Sequence, residues 1–548
     1  MAFFAYDCML LKMQAVSDRL SCLMPDRAET LLNVSKTRIF YFIQSIFNVN
    51  YGPNHFLTAI EKKFMKKKNA FNNSRRDFLK NSSLAAAGFF IVPRHVLGRG
   101  FVAPSDKLMI AAIGAGGKGA DDIDHFDKSG KAIISYLCDV DDRQAADSVK
   151  KFPKAKYYKD FREMLSKEAK YIDAVSVSTP DHTHAVAAMA AMQLHKHVYV
   201  QKPLTHDIYE ARMLTQAAHN YKVVTQMGNQ GSSGDGVRQL QDWYNAGIIG
   251  DVHTIYCFTD RPIWPQGVAR PTTASPIPQG LDYDLWLGTA PKKDYFEGVL
   301  PFNWRGWWDY GTGALGDMAC HIMAPAFAVA NLGYPISAEC SVATKYIENW
   351  HSGYFPESGP IASHITLVFR GKNGKPDVEL HWMDGGIQPT RPSELGPNET
   401  FGDGGNGTLY LGTKGKMMCG TYGVDPQLLP TSRSKETKVP QTVARVPGGD
   451  EGHYAAWVEA AIAGYGSDKA KNLSSHFDIA GPLTESVLMG NLAIRSNEIQ
   501  KKNDKGEMEY PGRHIKLLWD GPNMKITNFD DANQFVKRTY RDGWSLGV

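Results

Sequence analysis

Short apolar runs alternate with stretches of helical composition from Lys107 to about residue 230. Five of the apolar runs are predicted strands, at 107–115, 131–140, 172–180, 197–203 and 222–230. Three of the intervening stretches are predicted helices, at 141–152, 182–195 and 207–221. Regular alternation of strands and helices is typical of a parallel, doubly wound α/β sheet.

The pattern changes after residue 231, where the apolar runs become longer. Four longer strands are predicted, at 337–348, 362–371, 377–386 and 407–419. Several of them end in Gly or Asn turns, which favours a mostly antiparallel sheet. Helices predicted at 453–465 and 479–497 would pack on that sheet or on the first domain. We therefore expect a doubly wound domain at 105–230 and an α+β domain at 231–548.

Composition and charge limit the classes of partner. A chain of 548 residues with 43% hydrophobic and 22% charged residues is typical of a folded protein of two or three domains. The net charge is +4, but residues 61–80 hold eight basic and two acidic residues, so the chain from residue 104 onward is net acidic. We therefore expect no nucleic-acid partner. No apolar run is long enough for a permanent membrane span.

A basic segment near the N-terminus predicts an export signal. "SRRDFLK" at 74–80 precedes the weakly apolar stretch 81–92, and the adjacent Arg75 and Arg76 resemble a twin-arginine signal. Such a signal with its linker would occupy residues 65–104, beginning at Met65. Residues 1–64 are then either upstream sequence translated in error or an unusual extension. A twin-arginine signal predicts a periplasmic or cell-envelope protein that crosses the membrane already folded.

A glycine-rich turn follows the first predicted strand. Gly114, Gly116 and Gly119 form G-x-G-x-x-G, and Asp139 stands at the end of the second strand. This spacing is typical of a dinucleotide site, in which the glycines allow a tight turn and close approach to the pyrophosphate. A carboxylate at 139 would accept hydrogen bonds from the ribose hydroxyls and repel a 2′-phosphate. The motif therefore favours NAD over NADP.

An Asp–His pair lies two hundred residues later, in "GALGDMACH" at 313–321. Asp317 and His321 would share one face of a helix, and Cys320 stands beside the histidine. The pair alone is compatible with a buried polar contact, an incomplete metal site or an acid–base centre. A metal site is disfavoured because Cys320 would point elsewhere and no third ligand is evident. A general base of this type is what the oxidation of a carbinol requires.

Three motifs in order resemble one family. "STPDHTH" (178–184), "QKPL" (201–204) and "GDMACH" (316–321) make residues 106–500 similar to the glucose–fructose oxidoreductase, inositol dehydrogenase and MocA (Gfo/Idh/MocA) family. The resemblance implies NAD(P)-dependent redox chemistry on a sugar or polyol. It also implies an open C-terminal sheet that forms the interface of a homo-oligomer.

The same resemblance implies roles for individual residues. Lys202, Asp317 and His321 correspond to the catalytic positions, with Lys202 also next to the cofactor. Thr179 and Pro180 correspond to the turn beside the nicotinamide. In this reading His321 acts as the base, Lys202 polarises the substrate oxygen or relays the proton, and Asp317 orients the imidazole or holds it in the useful tautomer.

Two departures from the family pattern concern the substrate. Gln201 replaces the family's Glu, which removes a negative charge near Lys202, and Ala324 replaces an acid that often follows the histidine. We predict substrate contacts from His184, Trp304 and Arg305, since aromatic faces stack on sugars and Arg binds oxygen atoms.

Three functions are compatible with the sequence. The leading one is an exported NAD-dependent oxidoreductase acting on a sugar, glycoside or polyol, with the cofactor retained through the cycle. The second is an NAD-dependent glycosidase that works by transient oxidation, elimination and reduction. The third is a sugar-binding protein with a vestigial dinucleotide site, which the intact catalytic positions disfavour.

Overall fold

The structure, a computed structural model, describes residues 106–548. The extension predicted at 1–64 and the twin-arginine signal and linker predicted at 65–104 lie outside the described residues. The described part contains two large sheets, and the expected α/β fold class, a doubly wound domain followed by an α+β domain, is confirmed.

The first sheet has six parallel strands in the order β3-β2-β1-β4-β5-β6. The strands are β1 (Leu108–Ile113), β2 (Ala132–Cys138), β3 (Lys156–Tyr158), β4 (Ala174–Val177), β5 (His197–Val200) and β6 (Thr225–Met227). The helices between and after them are α1 (Lys118–Lys128), α2 (Asp142–Lys151), α3 (Phe161–Glu168), α4 (Asp181–Gln193), α5 (Ile208–Asn220) and α6 (Asp235–Asn245). Strands β1, β2, β4 and β5 are mostly apolar because helices cover both faces of a parallel sheet.

All five predicted strands and all three predicted helices of this domain are present. The sequence reading did not predict β3 and α3. Strand β3 has three residues, of which Tyr158 alone is buried, so no apolar run marks it.

The second sheet has nine strands in the order β15-β14-β13-β7-β12-β11-β8-β18-β19. They are β7 (Val252–Phe258), β8 (Pro335–Val342), β11 (Ser363–Phe369), β12 (Val378–Met383), β13 (Gly407–Gly412), β14 (Gly415–Cys419), β15 (Gln427–Leu429), β18 (Leu517–Asp520) and β19 (Lys525–Ile526). Two short hairpins complete the strands: β9 (Tyr346–Glu348) with β10 (His351–Ser352), and β16 (Lys501–Lys502) with β17 (Met508–Glu509).

The second sheet is antiparallel except where β7 and β12 run parallel. The strand predicted at 407–419 is in fact a hairpin, because Gly412 pairs with Gly415 and a two-residue turn separates β13 from β14. The remaining helices are α7 (Tyr283–Leu287), α8 (Gly313–Ala330), α9 (Ser432–Glu436), α10 (Gly449–Ala463), α11 (Asp468–Lys471) and α12 (Phe477–Asn497). Five 3₁₀ segments lie at Ala169–Tyr171, Gln230–Ser233, Asn303–Gly306, Thr421–Gly423 and Asp530–Phe535.

Helix α8 is the core helix of the second domain. Among residues 106–548 it is the one helix that is long and apolar enough to span a membrane by composition, and 83% of it is buried inside the protein. It packs against α12 and the strands β7 and β13. Its apolar sequence therefore reflects burial between a sheet and a helix, and its first two turns reach the first domain.

Two C-terminal segments return to the first domain. Helix α10 buries Tyr454 and Trp457 against Phe126 of α1 and Tyr199 of β5, so it completes the core on one face of the first sheet. Residues 536–548, called the C-terminal tail below, also contact the first domain, and Leu546 lies in the core shared by the two sheets. The first domain is thus completed by residues more than two hundred positions downstream of its last strand.

Candidate active site

A cleft of about 670 Å³ lies at the carboxyl ends of the strands of the first sheet. One wall consists of the turns that follow β1, β2, β3, β4 and β5. The opposite wall is formed by the first turns of α8, the loops within 261–305 and Tyr422. Ligands of doubly wound proteins bind at this edge of the sheet. The cleft is therefore the place to look for both cofactor and substrate residues.

The turn between β1 and α1 forms a cradle that glycine alone permits. Gly114 has a φ of 84°, and a Cβ there would lie 2.5 Å from the carbonyl oxygen of Ser178. A Cβ on Gly116 would lie 2.6 Å from Gln144, and one on Gly119 would lie 2.0 Å from the oxygen of Gly114. Because α1 begins directly after this turn, its N-terminus faces the cleft. The cradle fits the pyrophosphate of a dinucleotide.

Asp139 holds the cradle in shape. Its Oδ2 accepts hydrogen bonds from the backbone N–H groups of Ala115 (2.8 Å) and Gly116 (3.1 Å), and its Oδ1 accepts one from Asp141 (2.9 Å). Burial raises the pKa of Asp139, and these three hydrogen bonds oppose the rise. Asp139 lines the cleft, as a ribose-binding carboxylate must. The ribose contact itself stays a prediction.

Lys202 and Asp317 meet across the cleft although 115 residues separate them. The Nζ of Lys202 donates to the Oδ1 of Asp317 (2.9 Å) and to its carbonyl oxygen (2.8 Å), and the Nε of Arg305 donates to the same Oδ1 (3.1 Å). Burial alone would raise the pKa of Asp317, but Lys202 and Arg305 outweigh burial and hold that pKa below its usual range. Asp317 is therefore an ionised carboxylate that positions two cations.

His321 lies one helical turn after Asp317 and lines the same cleft. Its side chain is 5% exposed, and its Nδ1 has no hydrogen-bond partner among residues 106–548. Burial, reinforced by Lys202, lowers the pKa of His321 well below its usual value. The imidazole is thus neutral at neutral pH. Lys202 and Arg305 donate to the Oδ1 of Asp317, and no hydrogen bond among the described residues joins this carboxylate to the His321 ring. The orienting role of Asp317 therefore stays a prediction.

The structure shows the surroundings of Gln201 and Ala324, the two departures from the family pattern. The Nε2 of Gln201 donates to both oxygens of Asp122 (3.0 and 2.8 Å), a buried residue of α1 that also pairs with Lys118 (3.0 Å) and accepts from Ser178 (2.8 Å). A carboxyl group from position 122 therefore stands beside Gln201, and burial raises the pKa of this Asp122. Ala324 is buried and packs in the core rather than in the cleft.

The turn after β4 brings Thr179 and Pro180 to the cleft wall, as expected for the nicotinamide side. His184 lies behind this turn and does not line the cleft. Its ring nitrogens face the carbonyl oxygens of Pro203 (2.8 Å) and Thr179 (2.7 Å), and it is 1% exposed. The predicted substrate contact of His184 is therefore corrected, since both of its nitrogens are used to join the turn after β4 to the turn after β5.

Trp304 and Arg305 both line the cleft, where they were predicted to bind substrate. The guanidinium of Arg305 lies 4.4 Å from the ring centroids of both Trp304 and Phe302. Trp264 packs edge-on against Phe302, with ring centroids 5.8 Å apart. Together these side chains form an aromatic wall with one cation facing the pair Lys202–Asp317. Such a surface suits a polyhydroxylated ligand.

Two cleft residues were not singled out from the sequence. Asp181 opens α4, is 5% exposed and accepts a hydrogen bond from Thr312 (2.6 Å), and burial raises its pKa. Its place after Thr179-Pro180 was a usable signal. Tyr422 comes from a separate loop and packs edge-on against His321, with ring centroids 4.6 Å apart. Its φ of 64° reflects a tight turn that no local pattern announces.

Two family models match the chain. Residues 108–229 match the model described as "Oxidoreductase family, NAD-binding Rossmann fold", and residues 251–344 match "Oxidoreductase family, C-terminal alpha/beta domain". The two matched segments lie one in each domain, so the chain is similar to this oxidoreductase family in both. The segment that matches the NAD-binding Rossmann model contains the glycine cradle and Asp139.

Curated proteins similar to this chain include enzymes of two kinds. A myo-inositol 2-dehydrogenase from Thermotoga maritima is 25% identical over 176 residues, which cover 32% of this chain and 48% of the relative. A glycosyl hydrolase family 109 protein from Shewanella pealeana is 25% identical over 203 residues, covering 33% and 44%. The matched segments thus span less than half of either relative.

A solved structure shares the fold. The WlbA dehydrogenase from Bordetella pertussis, crystallised in complex with NADH and UDP-GlcNAcA, superposes with a TM-score of 0.50 at 14% identity, over 71% of this chain and 97% of that one. At this identity the likeness concerns the architecture alone.

Proposed function

We propose that this protein is an NAD-dependent oxidoreductase that transfers a hydride between the cofactor and a carbinol carbon of a sugar, glycoside or polyol. One observation carries the proposal: Lys202, Asp317 and His321 converge in the cleft that holds the dinucleotide cradle. The inositol dehydrogenase relative supports the class of substrate.

Each side chain has a separate role in the proposed reaction. NAD, when bound, supplies the hydride acceptor or donor. His321 is neutral and has a free ring nitrogen, so it can take the proton of the substrate hydroxyl during oxidation and return it during reduction. Lys202, held by the Asp317 carboxylate, donates a hydrogen bond to the substrate oxygen and stabilises the negative charge that develops there.

The aromatic wall determines how the substrate enters. Trp304 and Phe302 offer ring faces, and Arg305 is held between them and Asp317. A sugar lying on the rings would place its hydroxyl groups toward Arg305 and Lys202. Asp181, whose pKa burial raises, adds a carboxyl group from the wall formed by the turn after β4 and can accept or donate a hydrogen bond.

The proposal is tested on the purified full-length chain. Mass spectrometry of the ligand released on denaturation should identify NAD(H). A panel of sugars, glycosides and polyols should then give substrate-dependent NADH formation. Lys202→Met should lower turnover by about 10²-fold or more, as expected for loss of a preorganised donor at a developing oxyanion, while NADH still binds. Turnover at the unmodified rate in both Lys202→Met and His321→Gln contradicts the proposal.

A second function, an NAD-dependent glycosidase, is favoured by the similarity to a glycosyl hydrolase family 109 protein. The same residues would oxidise the sugar transiently, and the aglycone would leave by elimination with loss of a C–H proton next to the new carbonyl. Water would then add to the resulting double bond, and the reduced cofactor would return the hydride to the carbonyl carbon. An aryl glycoside distinguishes the two functions. Aglycone release without net NADH supports the glycosidase, whereas NADH formation without aglycone release supports the dehydrogenase.

We propose export by the twin-arginine route to the periplasm or cell envelope, on the strength of Arg75 and Arg76 before the apolar stretch 81–92. A cofactor loaded in the cytoplasm before export would suit this route. We also propose a homo-oligomer formed through the open face of the second sheet, which light scattering of the purified chain would test.

A further inference from the structure

We propose that Trp544 is the stacking platform for the adenine of NAD, and that the C-terminal tail retains the cofactor in the cleft between turnovers. The inference deepens the proposed function and rests on it, because it concerns the same dinucleotide. It assigns a binding role to the last residues of the chain, far from the glycine cradle in sequence.

The C-terminal tail is fixed to the first domain by a series of polar contacts. Arg538 donates to the Oε1 of the buried Glu210 (3.0 and 2.8 Å), and the hydroxyl of Tyr540 donates to the same oxygen (2.5 Å). Further along, Arg541 donates to the side chain of Asp284 (2.7 Å) and to the Gly288 carbonyl oxygen (2.6 Å).

The last residues are also anchored. Gln193 of α4 donates to the carbonyl oxygen of Gly547 (2.8 Å), and Leu546 is 8% exposed. The two residues between Arg541 and Trp544 are exposed, but both flanks of the segment are held. Trp544 is therefore presented from a fixed segment of the tail.

Trp544 lines the cleft next to the residues that follow β3. Its ring centroid lies 6.1 Å from that of Phe161, at an interplanar angle of 46°. The guanidinium of Arg162 lies over the indole at 4.3 Å and is itself paired with Asp160 (2.6 Å). Since Arg162 occupies one face of the indole, a ligand ring would stack on the other.

The strand order decides which half of the dinucleotide reaches Trp544. Lys202 and Thr179 follow β5 and β4, so the reacting half of the cofactor lies on that side of β1. Asp139 follows β2, and Phe161 follows the edge strand β3 on the other side of β1. A ribose bound at Asp139 would direct its base toward β3. The base at that end is adenine.

The chemistry of the contact matches this base. An indole stacks on adenine without needing a particular hydrogen-bond pattern, and base–aromatic stacking typically contributes about 1–3 kcal/mol. A residue delivered by the tail can also slow dissociation, because the cofactor cannot leave past it unless the tail shifts. Retention of NAD would suit a protein that works where free NAD is scarce.

The test compares half-ligands in the full-length chain. Binding of 5′-AMP, nicotinamide mononucleotide and NADH is measured by calorimetry after bound nucleotide has been removed, and NADH dissociation is followed by stopped-flow displacement. Trp544→Ala should weaken AMP about tenfold and speed NADH release by a similar factor, with nicotinamide mononucleotide affinity unchanged. Trp544→Phe should restore most of the AMP affinity.

Two further variants separate stacking from general disturbance. Trp350→Ala removes a fully exposed tryptophan outside the cleft and should leave all three affinities unchanged. Arg541→Gln loosens the tail without altering the cleft wall and should speed NADH release. This inference alone is overturned if Trp544→Ala leaves AMP affinity unchanged, or if AMP and nicotinamide mononucleotide lose affinity equally. An unmodified chain that binds neither AMP nor NADH overturns the proposed function as well.

Discussion

Replacing His321 by Gln should separate catalysis from folding. General acid–base catalysis by a positioned side chain contributes about 10²–10⁴-fold, equal to about 3–5 kcal/mol of barrier at about 1.36 kcal/mol per tenfold. The loss in the free energy of unfolding caused by this replacement is smaller than the rise in the reaction barrier. The Nδ1 of His321 has no partner among the described residues, so its removal leaves no protein group unpaired there, and the edge-on contact with Tyr422 is worth about 0.5–1.5 kcal/mol.

The assay measures kcat/KM for the best substrate, NADH affinity and the free energy of unfolding on the same preparations. His321→Gln should lose about 10²–10⁴-fold in kcat/KM, bind NADH within about twofold and unfold only slightly more easily. Cys320→Ala is the matched control, since this neighbouring residue of α8 is buried and does not line the cleft. It should keep nearly full activity.

The pH dependence of the unmodified enzyme gives an independent check. Burial lowers the pKa of His321 well below 6.5, so the proposed base stays neutral as the pH falls from 8 through 6.5. Oxidation by the free enzyme should therefore lose its base only at markedly lower pH. A half-loss of kcat/KM near pH 6.5 that is absent from His321→Gln, or a variant as active as Cys320→Ala, would refute the reasoning.

Three other predictions concern binding, stability and export. Gly116→Ala should weaken NADH binding at least tenfold by calorimetry, because its Cβ would lie 2.6 Å from Gln144; unchanged affinity contradicts the cradle. Burial lowers the pKa of His453 to about 4. Between about pH 6.5 and 4 the unfolded chain binds a proton at this histidine and the folded chain does not, so the free energy of unfolding decreases as the pH falls. In chemical unfolding, the stability advantage of the unmodified chain over His453→Gln should therefore shrink by about 1.4 kcal/mol per pH unit in that window, and a constant difference counts against the assignment. Changing Arg75 and Arg76 together to Lys should leave the protein in the cytoplasmic fraction of a host with the twin-arginine system, while export of the variant would remove the signal assignment.

The first domain was predictable because each of its main strands is a continuous apolar run and its nucleotide turn has a fixed glycine spacing. Strand β3 was not predictable from the sequence, because only one of its three residues is buried and no apolar run results. The hairpin at 407–419 was read as one strand because both of its arms are apolar and two residues alone separate them.

The site was predictable in its residues but less so in their partnerships. Lys202 and Asp317 are 115 residues apart, so only the family resemblance placed them together. Sequence spacing paired Asp317 with His321, whereas the structure gives its carboxylate to Lys202 and Arg305, the stronger donors. Asp122 looks like any acid on a helix until its contact with Gln201 is seen. A side-chain contact between positions so far apart in the sequence leaves no signal in the local residue pattern.

Helix α10 has a consequence for the order of events during synthesis. Tyr454 and Trp457 bury one face of the first sheet, so the first domain cannot finish its core until α10 has been translated. Residues 106–230 emerge early yet must wait for a helix more than two hundred residues downstream. We therefore expect a nascent chain to remain unable to hold the dinucleotide until α10 has emerged, which places cofactor loading after the synthesis of most of the second sheet.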